Sequence, residues 1–222
     1  MFNFFRKDKS PIEQGKEFGE EIKRTQEKLW DDFKGRGNSD EVLLEKAEAL
    51  SPVVVALAKH DTKSLLQLLE RDLGTKIGDD KFGKVFFEIA IFYLHFTDTK
   101  AFQYLGPERR SVFINALNPN VGVGVMEELL NIIENTIIVS DRFYYSFGGT
   151  YNERQVEYSK CKSLLPQRDG RGHFIFDDSK HWKLGEKVAE ILGLEMNLQI
   201  LLCISMSVLP ELTLQLQELL EK

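Results

Sequence analysis

The stretch that most restricts the fold runs from Asp80 to Leu105. Within it Phe82, Val85, Phe86, Ile89, Phe92, Tyr93 and Phe96 recur at the spacing of one helical face, while Phe87, Ile91 and Leu94 fill much of the other. A helix apolar nearly all round is either buried in a larger helical protein or spans a bilayer. Lys84, Glu88, His95 and Asp98 interrupt this one, which argues against a span. The stretch is read as the buried central helix of an all-α domain.

Glu88 and His95 lie two turns apart on that helix, roughly 10 Å along its axis. They are too distant to touch, yet both can face one cavity. A buried carboxylate or imidazole is costly unless it is paired or liganded. A helical metal- or small-ligand-binding enzyme would use Glu88, His95 and Asp98 here, with Glu134 or Asp141 supplied from a later helix. The structural alternative pairs Glu88 with Lys84, and His95 with Asp98 or Thr99, each within a turn; it is the preferred reading. Paired Glu-x-x-His motifs mark helical di-iron sites, and the chain has none. No metal is assigned and no cofactor is named.

Composition narrows the function classes. A chain of 222 residues buries a full core as one domain, and a net charge of −6 lacks the basic face that nucleic acid requires. Cys161 and Cys203 show no paired spacing, which fits reduced thiols and a cytoplasmic location. Residues 1–10 read as a flexible tail without a secretory apolar core, and 11–222 as a single helical domain. Phe2, Phe4, Phe5 and Arg6 offer a membrane-surface anchor, but so short a segment binds weakly by itself.

Taken in order, Ser10, Pro11 and Glu13 start a helix whose apolar stripe is narrow: Ile12, Phe18, Ile22, Leu29 and Phe33. This peripheral or partner-binding helix (11–35) ends at Gly35 and Gly37. Ser39 caps the next helix, Ser51-Pro52 restarts it, and Asp61 caps a third that stops at Gly74. Gly106-Pro107 and Pro119 are read as further breaks. Val121-Gly-Val-Gly-Val125 lacks a third glycine and precedes Glu127-Glu128, which repel phosphate, so nucleotide binding is excluded. Gly148-Gly149, followed by Thr150 and Glu153 as a capping box, predicts a tight turn between helices. Tyr144, Tyr145, Tyr151 and Tyr158 would gather there as a recognition corner. Residues 166–178 form the longest irregular loop, with a turn at Asp169-Gly170 and an extended piece over His173–Phe176. His173, Asp177, Asp178 and His181 match no metal-ligand spacing. Leu198–Leu209 reads as a second core helix packed on the central one. The total expected is eight to ten helices.

No Gly-x-Ser-x-Gly elbow is present, and neither cysteine has a histidine beside it in sequence. The function expected is therefore a non-enzymatic interaction or regulatory module that self-associates. Its contact candidates are Phe18, Ile22, Leu29 and Phe33 with the tyrosine corner. The helical enzyme stands second and the membrane-surface protein third.

Overall fold

The structure is a computed structural model and describes residues 20, 24, 31–74, 76–132, 140–208, 212, 216, 217, 219 and 220. The side chains of residues 79, 80, 132 and 140–146 are not described. Five helices have defined bounds: α1 Asp40–Leu73, α2 Asp79–Ile132, α3 Ser140–Ser159, α4 Lys180–Leu192 and α5 Leu198–Ser207. Residues 31–33 end a further helix before α1. Among the described residues the strands are two pairs of residues, β1 Gln167–Arg168 and β2 Phe174–Ile175, antiparallel with Arg168 opposite Phe174. The all-α expectation holds, but among the described residues six helices are counted where eight to ten were expected. No described helix is long and apolar enough to cross a membrane.

The helix count is lower because expected breaks are bridged. Ser39 caps α1 as anticipated, its Oγ accepting from the Val42 amide at 3.4 Å, and Gly74 ends it with φ 66°. Between them α1 passes through Ser51-Pro52 and Asp61 without interruption. A helix-interior proline is unfavourable by about 3 kcal/mol. Leu50, Val53, Val54 and Leu57 are all buried around Pro52, each contributing about 1.5–3 kcal/mol, so packing outweighs propensity. In α2 the one non-helical residue is Gly106, at φ 74° and ψ 177°. Pro107 then occupies the start of the second segment, where its missing N–H matters least. Pro119 lies inside that segment without breaking it.

From Val85 to Leu94 the core-forming side chains of α2 are almost fully enclosed, as expected for the central helix. The two glycines of the Val121–Val125 stretch serve packing. A Cβ on Gly124 would meet Val55 Cγ2 of α1 at 2.9 Å, and one on Gly122 would meet the Phe147 ring of α3 at 3.1 Å. They let three helices approach closely.

The tight turn expected at Gly148-Gly149 is absent, since α3 runs through both residues. Glycine permits a reversal without forcing one, and burial of Phe147, Tyr151 and Tyr158 along one side holds the segment helical. Near the C-terminus, Ser179 caps α4 and Gly193 ends it at φ 72°, while Asn197 caps α5. α5 joins the core as expected, through Ile200, Cys203 and Ile204, but the neighbour expected for it needs correction. It packs against α1 and α4 instead of the central helix, burying Ile200, Leu201, Cys203 and Ile204 and leaving Leu198, Leu202 and Met206 exposed. Lys46 of α1 is buried and fully partnered, donating to Gly37 O, Asn38 Oδ1 and Leu219 O at 3.0, 2.8 and 2.9 Å. It ties the connection before α1 to the end of the chain.

Candidate functional site

Glu88, His95 and Asp98 are all buried on α2, and α3 supplies most of what faces them. The inward positions of α3 are Phe147, Tyr151, Arg154, Gln155 and Tyr158, a helical stripe that is half aromatic and half polar. Burial makes a carboxylate costly without a cation, and each carboxylate has one. Arg154 grips Glu88 in a fork, Nη2 to Oε1 at 2.8 Å and Nε to Oε2 at 2.9 Å. That hydrogen bonding raises the Arg154 pKa, against the opposing effect of burial. Arg110 grips Asp98 the same way, Nε to Oδ1 at 2.5 Å and Nη2 to Oδ2 at 2.6 Å, and its pKa is likewise raised by the bond to Asp98. Gln155 Nε2 donates to the same carboxylate. Because Asp98 and Arg110 lie on opposite sides of Gly106, their pair clamps the kink of α2.

His95 sits between the two pairs in sequence, with its ring centroid 5.1 Å from that of Tyr158. Among the described residues neither ring nitrogen has a partner in good hydrogen-bond geometry, and neither does the Tyr158 hydroxyl. Burial, and then the charge of Lys180, depresses the His95 pKa to about 4, while Asp98 and then Gln155 oppose the shift. Burial alone depresses His181 to about 4. It also raises the Tyr158 phenol well above its usual value. At neutral pH the cluster is two carboxylate–guanidinium pairs with neutral imidazoles between and beside them. The half-buried Lys180, whose Nζ donates to Thr99 Oγ1 at 3.3 Å, lies alongside.

The structural partners expected for this helix are corrected in detail. Lys84 is exposed and Glu88 turns to Arg154 instead; Thr99 does reach residue 95, but through the backbone carbonyl at 3.0 Å. Glu134 lies outside the described residues, as do Phe18, Ile22 and Leu29, and for Asp141, Tyr144 and Tyr145 only the helical backbone is described. Phe33, Tyr151 and Tyr158 are buried. His173 is exposed while His181 is buried, and Asp178 is engaged by Lys162 at 2.7 Å, so that loop does not assemble a ligand set. Among the described residues no three His, Cys, Asp or Glu side chains are grouped to hold a metal. Arg154, Arg110 and Gln155 escaped the sequence reading. For Arg154 alone a signal was present, in the inward spacing of residues 147, 151, 154 and 158, which places a cation among aromatic side chains; Arg110, on α2, and Gln155 carried no such mark.

The other notable surface is α5. Leu198, Leu202 and Met206, at four-residue spacing, are 55%, 62% and 69% exposed. No charged residue occurs anywhere in this ten-residue helix. No known protein family, curated protein or solved structure matches the chain.

Proposed function

We propose that the protein is a non-enzymatic helical interaction module that pairs with a second copy of itself through the exposed face of α5. The observation carrying this reading is that α5 is apolar on both sides but covered on one. Helices apolar all round are ordinarily enclosed, and a contiguous exposed apolar stripe marks an interaction surface. A second copy fits because the stripe is uncharged and evenly spaced about Leu202. Two such helices related by a two-fold axis meet without like-charge repulsion.

The buried polar cluster supports the non-enzymatic part. Glu88 and Asp98 are each held in a fork by a guanidinium, which leaves neither carboxylate free as a base or a metal ligand. The cluster orients α3 on α2 and fixes the kink. The test is sedimentation of the wild-type chain beside Leu202→Glu. A concentration-dependent dimer that the substitution converts to a folded monomer supports the reading; a wild-type monomer at every concentration overturns it.

A further inference from the structure

The segment from Lys162 to His181 forms an ordered arm that is exposed over much of its length. Its root is closed by backbone hydrogen bonds. The Lys162 and Ser163 amides donate to Asp178 O at 2.9 and 3.3 Å, Lys180 N donates to Ser163 O at 3.0 Å, and His181 N donates to Leu164 O at 3.0 Å. Its tip is held by Asp169, whose Oδ1 accepts from the Arg171 and His173 amides at 2.8 and 2.9 Å. The β1–β2 ladder joins root and tip. Yet this ordered arm exposes Leu165, Phe174 and Ile175, with the Arg168 guanidinium 4.8 Å over the Phe174 ring. Ordered loops with large exposed apolar side chains are binding elements more often than packing ones.

Charge and position say what the arm meets. Residues 160–183 hold six cations against three carboxylates in a chain of net charge −6, so the remainder is more acidic than the whole. Two of the arm's three aspartates are already engaged, Asp169 in the turn and Asp178 by Lys162. Arg168 and Arg171 are exposed and have no carboxylate partner among the described residues. The root also touches α5: His181, which bonds to Leu164 O, has Nδ1 3.4 Å from Ser205 Oγ, next to Met206. The root of the arm therefore lies beside the C-terminal end of α5. At the opposite end, before the Asn197 cap, are Glu195 and Glu190, both exposed, with Glu190 meeting Lys187 of its own helix at 3.7 Å.

We infer that, in a dimer paired antiparallel through α5, each arm latches onto the acidic turn of the other copy. Arg168 and Arg171 face Glu190 and Glu195 of the partner subunit, and Phe174 is covered. This rests on the self-association proposed above and adds its geometry. A two-fold axis through Leu202, perpendicular to the helix, brings the Met206 end of one copy against the Leu198 end of the other. The parallel arrangement would set two basic arms side by side and align the two helix dipoles, both unfavourable.

The test is charge-swap rescue, read as the dimer dissociation constant by sedimentation. Arg168→Glu with Arg171→Glu is expected to weaken the dimer about tenfold and to reduce its sensitivity to salt. Glu190→Lys with Glu195→Lys should weaken it comparably, and the four changes together should restore most of the affinity. All four positions are exposed, so thermal melts confirm that each variant is folded. A dimer unaffected by the arm reversals, or one that the combined variant fails to rescue, overturns the latch while leaving the α5 seam standing. A wild-type chain that stays monomeric removes the seam and the latch together.

Discussion

Arg154 holds Glu88 through two parallel hydrogen bonds at 2.8 and 2.9 Å, joining α3 to the central helix across 66 residues of sequence. Glu88 is the first of the ligand-binding candidates in the sequence, and this pairing gives it a structural task. Removing one member of a buried pair strands the other without compensation, at about 3–5 kcal/mol. Replacing both with apolar side chains is often close to neutral. Arg154→Ala should therefore lower the unfolding free energy by about 3 kcal/mol. Arg154→Met combined with Glu88→Leu should recover most of that loss. Urea denaturation of the three proteins checks it: a double variant no better than Arg154→Ala means that more than charge compensation fixes this corner.

The two buried histidines give the fold a pH dependence with a definite sign. Both have a folded pKa of about 4, below the usual value of about 6.5 in an unfolded chain. Between those values the unfolded state binds more protons, so stability falls as pH drops from near 6.5 through 4. Each imidazole accounts for up to about 3 kcal/mol of that change. The charged groups that act on His95 are Asp98 on its own helix and Lys180 on α4, and Lys180 opposes a positive ring. His95→Gln with His181→Gln should flatten the fall in melting temperature between neutral pH and pH 4. An equally steep profile in the double variant would assign the acid sensitivity to carboxylates.

Gly124 shows how tightly α1 and α2 approach. In an open helix Gly→Ala stabilises by about 1 kcal/mol. Here the added methyl would lie 2.9 Å from Val55 Cγ2, and overpacking costs about 1–3 kcal/mol. Gly124→Ala should be destabilising, and Gly124→Ala with Val55→Ala should remove the clash. Thermal melts that show Gly124→Ala alone to be stabilising would mean the two helices separate readily.

The sequence was most informative where local chemistry acts alone. Ser39 and Gly74 were readable as caps because a cap needs only its own side chain and φ angle. The central helix was readable because both of its faces are apolar. Pro52, Pro119 and Gly148-Gly149 misled because each is a local preference overruled by packing from distant residues. Glu88, His95 and Asp98 stood out because they interrupt an apolar helix, and all three are buried, but the partners Arg154 and Arg110 lie beyond the reach of one-turn spacing rules. The run over Leu198–Leu209 was read as core because periodicity cannot separate a helix enclosed by its own chain from one that presents half its surface.

The most direct test of the α5 seam is a cysteine placed on its axis. In a Cys161→Ser, Cys203→Ala background, Leu202→Cys should form a covalent dimer under mild oxidation much faster than Phe102→Cys. Phe102 is comparably exposed, but on α2. Rapid, near-complete cross-linking at position 202 alone is the result this account predicts. Equal or slower cross-linking at 202 than at 102 would contradict it.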